Sequence, residues 1–344
     1  MKNNKSRCSL GDLAQTLGVS KATVSRALNG NAGVGKELRE KIQQLADEMG
    51  YRPNTLAQSL VKGRLNIIAL ILGDIRNPFY AELAFNIQQT LNQEGYMLMV
   101  FNSEYDVEKE LRYMAAVEQF NFAGLFLLTA NVTSTEQALH RFKAQGISVV
   151  LINRTLPSYT GSSVLLDNFQ AGYIATMHLI ELNHRHIGFI SGPHTSSASH
   201  QRYLGFCQAV KNFNITDATE YYMETDLTMK CGEQMAKAFL ENQAPRPTAM
   251  ILSNDLAAIG FMNGLKANGV RIPDDLSIVS FDNIPFSAAA GIDLTSVDQH
   301  VDEISREAVR LMINQLQSSS ENNEEHVIIT PTLVVRKTTK SNLA

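Results

Sequence analysis

Residues 10–28 read Leu10-Gly-Asp-Leu-Ala-Gln-Thr-Leu-Gly-Val-Ser-Lys-Ala-Thr-Val-Ser-Arg-Ala-Leu28 and predict two short helices joined by a tight turn. Ser9 can cap the first helix, and Asp12 three residues later completes a capping box. Gly18 takes the turn, and Ser20 can cap the second helix. This pattern is that of a helix-turn-helix, which places its second helix in the major groove of DNA.

Many three-helix domains have helix caps and apolar stripes, so these features alone do not identify a helix-turn-helix. The residues at which the two helices pack against each other are a more specific indication. Ala14, Gly18 and Val24 supply the small residue, the turn residue and the branched core residue that two nearly perpendicular helices need. In the second helix, Val24 and Leu28 are predicted to face inward, four residues apart. The outward residues are small or basic and suit a groove: Lys21, Ala22, Thr23, Ser25 and Arg26.

Charge separates the head of the chain from the rest. Residues 1–64 carry eleven Lys and Arg against five Asp and Glu, a net charge of +6. Because the whole chain has a net charge of −4, the remainder carries −10. A basic head on an acidic body indicates that the head meets a polyanion.

Length and composition bound the class of protein. The chain has 344 residues, 44% of them hydrophobic, which is enough for a large core in two or three domains. Its apolar runs are far shorter than the roughly 20 residues that span a bilayer. The basic start, residues 1–8, lacks the apolar stretch of a signal peptide, so we expect a cytoplasmic protein without membrane contact.

Motifs for catalysis, cofactors and metals are missing from the sequence. There is no Gly-x-Gly-x-x-Gly after the first strand, no Walker motif, no nucleophile elbow and no catalytic carboxylate pair. The three cysteines, Cys8, Cys207 and Cys231, are too widely spaced to indicate a disulfide framework or a zinc site. His178, His184 and His186 lie close together in the sequence, but no further metal ligand follows at suitable spacing. We therefore expect no catalytic residues, no cofactor and no metal.

Beyond the helix-turn-helix, the head is predicted to end near residue 50. A third helix is expected over residues 36–49, with Leu38, Ile42, Leu45, Ala46 and Met49 facing inward. Asn54 can then cap a helix of about two turns, which is too short to be stable alone in water.

From residue 66, apolar strands alternate with amphipathic helices, which is typical of doubly wound parallel sheets. We predict an α/β body of two such halves with a cleft between them. The expected strands are 67–72, 96–101, 124–128, 148–152, 187–191, 249–253, 277–281 and 327–335. The expected helices are 79–94, 107–119, 134–145, 169–182, 199–213, 229–241, 255–267 and 301–316.

Taken together, these motifs resemble the lactose-repressor and purine-repressor family of bacterial transcription regulators along essentially the whole chain. The segments that carry the resemblance are residues 18–29, 50–60, 77–80, 184–193, 254–260 and 280–283. The resemblance implies a homodimer, or a dimer of dimers, that binds a near-palindromic operator and is switched by a small molecule. A dimer is favoured because no leucine-heptad extension follows Lys337.

The resemblance also implies which head residues contact DNA. Lys21, Ala22 and Arg26 would reach base edges, and Arg26 could instead contact a phosphate. The residues nearer the backbone would be Ser20, Thr23, Ser25 and Asn29. In similar repressors a hinge helix enters the minor groove; here it would begin at Asn54 and push Leu60 between base steps, unless Leu60 packs on the body.

For the effector, the resemblance implies a site in the cleft at the carboxyl ends of the strands. The residues at the family's positions are Asn77, Phe79, Arg154, Ser196, Arg202, Leu227, Asp255 and Asp282. Asp255 could instead cap the helix that it begins. Leu227 stands where relatives often carry a stacking aromatic, and Asn153 stands where many carry aspartate. An anionic sugar derivative held by Arg154 and Arg202 is therefore as plausible as a simple sugar.

The resulting division of the chain is a head (1–50), a hinge helix and linker (51–65) and a body for effector binding and dimerisation (66–340). Lobe 1 is expected to span about 66–166 and 299–327, and lobe 2 about 168–297 and 328–340. Alternatives to an inducer-released repressor are a corepressor-dependent regulator or an activator. A solute-binding protein would share the body but would not carry a basic helix-turn-helix.

Overall fold

The computed structural model describes residues 8–28, 30, 32–51, 64–128, 133–154, 156, 160–193, 196–215, 221–242, 245–317 and 324–343. Contacts within the chain divide it into two units, Met1–Leu65 and Asn66–Ala344. Three residues predicted to contact DNA lie outside the described residues: Asn29, Asn54 and Leu60.

Within residues 8–51, the described part of the first unit has three helices: α1 (Leu10–Leu17), α2 (Lys21–Leu28) and α3 (Lys36–Glu48). Their shared core is built from Leu13, Ala14, Val24, Ala27, Ile42 and Ala46. The inward positions predicted for Ala14, Val24, Ile42 and Ala46 are thus confirmed, whereas that of Met49 is wrong. Met49 follows α3 as its C-cap and leaves 38% of its surface exposed, because the helix ends one residue earlier than expected.

The caps of these helices follow the sequence closely. The Asp12 amide donates to Ser9 Oγ over 3.3 Å, and the Ser9 amide donates to Asp12 Oδ2 over 2.8 Å, which completes the capping box. Gly18 ends α1 with φ of 61°, a left-handed conformation that glycine adopts without steric cost. Gly35 precedes α3 without a side-chain cap.

The described residues of the second unit form two six-stranded sheets, each flanked by helices, which confirms the predicted α/β class. The strands are β1 (Leu65–Leu72), β2 (Met97–Asn102), β3 (Phe122–Leu127), β4 (Ser148–Ile152), β5 (Ser163–Leu166), β6 (Ile187–Ser191), β7 (Tyr222–Glu224), β8 (Ala249–Leu252), β9 (Ser277–Asp282), β10 (Thr295–Asp298), β11 (His326–Ile329) and β12 (Thr332–Val334). The first sheet has the order β11-β5-β4-β3-β1-β2 and the second the order β12-β10-β9-β8-β6-β7.

Helices connect these strands at close to the predicted bounds. They are α4 (Pro78–Gln93), α5 (Val107–Gln119), α6 (Thr133–Ala144), α7 (Asn168–Glu181), α8 (Ser197–Asn212), α9 (Met229–Glu241), α10 (Asp255–Ala267) and α11 (Val301–Gln317). A short 3₁₀ helix covers Pro285–Ala288. Among the described residues, no helix is both long and apolar enough to cross a membrane.

The single strand predicted at 327–335 is wrong. The structure has β11 there, paired in parallel with β5 in the first sheet, followed by β12, paired antiparallel with β10 in the second. Pro331 lies between them and has no amide hydrogen to continue a ladder. The chain therefore passes between the sheets at residues 330–331.

Three short strands were not predicted from the sequence: β5, β7 and β10. Each has only three or four residues, and several of those residues are polar. Their hydrogen bonds to neighbouring strands make them regular, and a periodicity of two cannot be recognised over so few positions.

Two glycines allow α7 and α8 to lie in direct backbone contact. A Cβ atom at Gly172 would lie 1.9 Å from the carbonyl oxygen of Arg202, and one at Gly205 would lie 2.0 Å from that of Phe169. Such distances are far inside van der Waals contact, so only glycine fits at either position. The close approach sets the position of Arg202 on α8.

We predict that Gly172→Ala destabilises the second unit, because the added methyl group must push α8 away. The expected loss in the free energy of unfolding is about 1–3 kcal/mol or more. Urea denaturation of the full chain measures it. Gly35→Ala is the control, since a Cβ there meets no atom within 4 Å. Equal stability of Gly172→Ala and the unmodified chain would contradict the proposed close packing.

Candidate functional site

The residues predicted to read DNA bases lie on the outer face of α2. Lys21, Ala22 and Arg26 are exposed, whereas Val24 and Ala27 are buried in the core of the first unit. Ser20 caps the helix by accepting a hydrogen bond from the Thr23 amide over 3.1 Å. Two long cations and a methyl group are therefore presented on one side of a helix that is held by its other side.

Small hydroxyl residues border this face. Ser20 Oγ and Thr23 Oγ1 lie 2.9 Å apart and share a hydrogen bond. Ser20 is exposed, and Thr23 and Ser25 are half-buried. Hydroxyls at the start of a helix, where backbone amides also point outward, suit contacts to phosphate oxygens.

The positive charge of the head lies on α2 and in the segments that flank the three helices. Residues 8–51 carry five basic and five acidic side chains, so the net charge of +6 comes from 1–7 and 52–64. Within the helices, α2 has Lys21 and Arg26 and no acidic residue, whereas α3 carries both signs. Among the three helices α2 is thus the most cationic, while the net positive charge of the head lies in the two segments that flank them.

In the second unit, a cleft forms where the carboxyl ends of both sheets meet. It is lined by Asn77, Phe79, Tyr80, Tyr105, Asn153, Arg154, Ser196, Ala198, Ser199, Arg202, Leu227, Ser253, Asn254, Asp282 and Gln299. The structure therefore brings together seven of the eight residues predicted for the effector site. Asp255 is the one that it places elsewhere.

Arg202 lies buried at the centre of the cleft, with 5% of its surface exposed. Its Nε donates to Asn168 Oδ1 over 2.9 Å, and its Nη1 donates to the carbonyl oxygen of Ser253 over 2.7 Å. The guanidinium carbon lies 4.6 Å from the centre of the Phe281 ring. These contacts fix a planar cation in one orientation, and burial lowers its pKa against the opposing effect of Asp282.

Three side-chain amides connect this cation to the carboxylate of Asp282. Asn168 Nδ2 donates to Asn153 Oδ1 over 2.8 Å, and Asn153 Nδ2 donates to Gln299 Oε1 over 2.9 Å. Gln299 Nε2 then donates to Asp282 Oδ1. We call these five residues the amide chain. Every hydrogen bond in it runs in the same direction, from the cation to the anion, so each polarises the next.

The amide chain joins both lobes and two of the connections between them. Asn153 follows β4 of the first sheet, and Arg202 lies on α8 beside the second. Asn168 begins α7 directly after β5, and Gln299 follows β10. The two ends meet where Arg202 Nη1 lies 4.0 Å from Asp282 Oδ1. A closed polar ring therefore links the parts of the body that would move if the cleft opened.

Asp282 has an unusual environment for a carboxylate. It ends β9 with φ of 110°, and only 8% of its surface is exposed. Burial raises its pKa to about 7, with a contribution from Asp255, while Arg202 and the amide donors Asn77 and Gln299 act in the other direction. Its charge is therefore sensitive to what occupies the cleft.

Asp255 is fully buried behind the cleft. Its carboxylate accepts hydrogen bonds from the hydroxyls of Ser280, Ser287 and Ser296 and from the Ile284 amide. The cap of α10 is instead Asn254, whose Oδ1 accepts from the Ala257 amide over 2.9 Å. Four donors satisfy Asp255 completely, so it holds β9, β10 and the 3₁₀ helix together and does not line the cleft.

The remaining predicted residues line the cleft while also shaping its walls. Asn77 caps α4 by accepting from the Phe79 amide over 3.0 Å, and Ser196 caps α8 through the Ser199 amide over 3.3 Å. Arg154 Nη1 donates to the carbonyl oxygen of Asn153 over 2.7 Å. Two helix N-termini and a second guanidinium thus lie beside the space that Arg202 borders, a setting that favours polar or anionic groups.

Leu227 holds a left-handed backbone, with φ of 63°, that a bulky residue seldom adopts. Its carbonyl oxygen accepts from Asn254 Nδ2 over 2.9 Å, which secures the conformation. The leucine side chain consequently faces the cleft at the position where the resemblance implies a stacking contact.

Sequence reasoning missed several residues of the cleft, most importantly Gln299. It lies at the carboxyl end of β10, and ligand-facing groups in such sheets follow the carboxyl ends of strands. Recognition of β10 would therefore have predicted it. Tyr105 was also missed; its hydroxyl donates to that of Tyr80 over 3.2 Å, and burial raises its pKa.

The cleft is narrow in this conformation. Its volume is about 40 Å³, whereas sites for small organic ligands are typically about 300–1,000 Å³. Its own side chains therefore satisfy one another across the space. A ligand of sugar size requires the lobes to separate.

Comparison with family models matches each unit. Residues 9–54 match the model for bacterial regulatory proteins of the lacI family. Residues 176–339 match the model for a periplasmic binding protein-like domain. The two matches fall on the helix-turn-helix and on the second half of the body.

Whole-chain comparison gives relatives of similar length. The chain is 30% identical to the HTH-type transcriptional regulator DegA of Bacillus subtilis, over 95% of this chain and 97% of that protein. It is 32% identical to the ribose operon repressor of Halalkalibacterium halodurans, over 96% of each. A crystal structure of the lac repressor dimer bound to operator and an anti-inducer is 23% identical, with a TM-score of 0.85 over 97% of this chain and all of that one, and shows the same fold.

We predict that Asp282 makes the free energy of unfolding depend on pH. An unfolded aspartate has a pKa of about 3.9. Because the folded pKa is raised to about 7, the folded state holds this proton longer, so the stabilising contribution is present below about pH 4 and is lost as the pH rises through 7. Relative to the unmodified chain, Asp282→Asn should therefore gain stability between pH 5 and pH 8.

Urea denaturation of both proteins across that range measures the difference. Asp275→Asn serves as the control, because the Arg271 contacts lower the pKa of Asp275 to about 2 and it does not titrate there. A stability difference between Asp282→Asn and the unmodified chain that stays constant from pH 5 to pH 8 would disprove the raised pKa.

Proposed function

The chain belongs to the lacI family of bacterial regulatory proteins, which are DNA-binding transcriptional regulators, and we propose how this member reads DNA and senses a metabolite. It acts as a repressor, binds a near-palindromic operator as a homodimer, and is switched by a small polar metabolite in the cleft. It works in the cytoplasm, where the operator is found. The observation that carries the proposal is the combination in one chain of the cationic α2 face with a cleft closed by the amide chain.

Recognition of the operator is assigned to α2. Arg26 has the planar pair of donors that matches the two acceptors on the major-groove edge of guanine, while Lys21 and Ala22 reach neighbouring bases. Contacts to the DNA backbone come from Ser20, Thr23, Ser25 and Asn29. For the linker, whose residues 52–63 lie outside the described part of the structure, we propose that a hinge helix begins at Asn54 and inserts Leu60 into the minor groove.

The effector is assigned to the cleft, between the cation of Arg202 and the carboxylate of Asp282. The chemistry of the lining suits a sugar or an anionic sugar derivative, because hydroxyls can replace the amide partners that the cleft residues now provide for one another. Asn77, Phe79, Arg154, Ser196 and Leu227 complete the contacts. One relative is named for the ribose operon, which is consistent with this class of metabolite.

An apolar patch at the edge of the first sheet supports the homodimer. Met97, Met99 and Val100 on the edge strand β2 leave 67%, 40% and 40% of their surfaces exposed, and Phe85 on α4 leaves 59% exposed. A soluble monomer seldom leaves an open sheet edge with such side chains uncovered. A second copy of this chain is the occupant that also explains a two-fold symmetric operator.

The proposed division of labour is a DNA-binding head (1–50), a hinge helix and linker (51–65) and a sensing and dimerising body (66–340). Lobe 1 is built on the first sheet and lobe 2 on the second. The polypeptide crosses from one lobe to the other after β5, after β10 and between β11 and β12.

Selection from a random duplex library, with the purified full-length chain and no ligand, tests the proposal. We expect enrichment of a palindrome containing a guanine in each half-site. Loss of the guanine contact in Arg26→Ala should weaken binding by about 1–3 kcal/mol, or roughly 5- to 150-fold, and relax the preference at that position.

The matched control is Lys41→Ala, which removes one exposed cation of the head outside α2. It should enrich the same palindrome. Equal enrichment by Arg26→Ala would remove Arg26 from base reading. If the unmodified chain enriches no sequence alone but enriches one when metabolites are added, the protein is a corepressor-dependent regulator and not an inducer-released repressor.

A further inference from the structure

A second space adjoins the cleft and differs from it in character. Its volume is about 300 Å³, and it opens beside the carboxyl ends of β4, β5 and β11. We call it the side compartment and define it by the six residues Arg154, Leu166, Phe169, Ser197, Ala198 and Ile328. Asn153, Arg154 and Ala198 line both spaces, so the side compartment continues the cleft.

Five of the eleven residues that line the side compartment are apolar, apolar atoms form most of its surface, and it is partly open to solvent. Ile328 on β11 leaves 65% of its surface exposed, and Phe169 at the start of α7 leaves 36% exposed. Leu166 and Ala198 are buried at its base. Among the described residues that line it, one carboxylate is present, that of Asp167, and it accepts a hydrogen bond from the Gln170 amide over 2.8 Å. Apolar side chains that converge on a concave space mark a binding site more often than scattered ones do.

The sizes of the two spaces decide what each can hold. The cleft of about 40 Å³ has room for little more than water in this conformation. The side compartment of about 300 Å³ exceeds the roughly 150 Å³ that already admits a benzene molecule in a protein interior. An apolar group therefore fits without any change in the protein.

A third space, which shares Phe79 and Asp282 with the cleft, suits such a group less well. It is bordered by four carboxylates and by two basic side chains: Glu82, Asp298, Asp302, Glu303, His300 and Arg306. Burial and the charges of Asp302 and Asp298 raise the pKa of Glu82, which shows how closely these anions are gathered. An apolar substituent would have to displace water from these carboxylates, at a cost that the side compartment does not impose.

We propose that the side compartment binds an apolar substituent of the effector, an aryl ring or a short hydrocarbon chain, joined to a polar head held between Arg202 and Asp282. The effector is then an amphiphilic conjugate, such as an aryl or alkyl glycoside, and not a free sugar. Arg154 lies at the boundary, where head and substituent are joined. This assignment of the polar head rests on the proposed effector function of the cleft.

The probe for the test is 8-anilinonaphthalene-1-sulfonate, an aryl compound whose fluorescence rises in apolar surroundings. Titration of the full chain should show saturable binding. Ile328→Ser removes an exposed apolar wall, and Ser197→Trp fills the space from a half-buried position. Each should weaken binding about tenfold, which corresponds to about 1.4 kcal/mol. Ile328→Ser removes apolar contact with the probe, and Ser197→Trp occupies the space that the probe needs. Ile328 is mostly exposed, so its replacement should leave the fold intact.

Phe213→Ser provides the matched control. Phe213 follows α8, leaves 47% of its surface exposed and does not line the side compartment. Its replacement should leave the titration unchanged. Absence of saturable binding up to about 1 mM probe, or an equal loss in Phe213→Ser, would overturn the proposal. Operator selection requires neither the probe nor these residues. The probe titration therefore tests the side compartment alone, and the operator selection tests the proposed DNA-binding function alone.

Discussion

The hydrogen-bonded path from Arg202 to Asp282 is the constraint on which the body of this protein depends. A buried guanidinium and a buried carboxylate, 4.0 Å apart at their nearest atoms, are costly unless every polar atom around them is satisfied. Here Asn168, Asn153 and Gln299 carry hydrogen bonds around the ring. These amides come from the first lobe and from two connections between the lobes. A movement of the lobes therefore changes the hydrogen bonds that stabilise the buried charges in the cleft. The glycine contact between α7 and α8 serves the same ring, since it places Arg202 beside Asn168.

Such a ring gives the body two ways to satisfy the same groups. In the closed arrangement the side chains bond to one another; with an effector, hydroxyl or anionic groups of the ligand take over some of these bonds while the lobes adjust. A ligand shifts the balance only by its difference in affinity for the two arrangements. Asp282 is suited to report that difference, because burial already raises its pKa to about 7 and a new partner changes the cost of its charge. The apolar side compartment would add affinity that does not depend on the ring.

The sequence and the resemblance together predicted most of the architecture, for identifiable reasons. Long helices and buried strands have strong periodicity, so α5, α9 and α10 have the predicted bounds, and the capping box at Ser9 and Asp12 forms as expected. The short strands could not be recognised from the sequence. Because β10 was not predicted, Gln299 was not recognised as a residue that follows the carboxyl end of a strand. Asp255 was misplaced because a motif gives a position along the chain and not the side of a helix start on which three serines converge. The amide chain itself joins residues up to 146 positions apart, so only tertiary structure reveals it.

The most direct test measures whether the amide chain holds the lobes together. Spin labels on exposed Glu94 after α4 and Asn268 after α10, in a chain whose three cysteines are replaced by serine, report the distance between lobes by pulsed electron resonance. Asn153→Leu breaks two hydrogen bonds of the amide chain. As a control, Asn86→Leu breaks the hydrogen bond to Asp302, and neither of these residues belongs to the amide chain. Without added ligand, we expect a longer and broader distance distribution in Asn153→Leu alone. An unchanged distribution in Asn153→Leu would show that the lobes are held by something else.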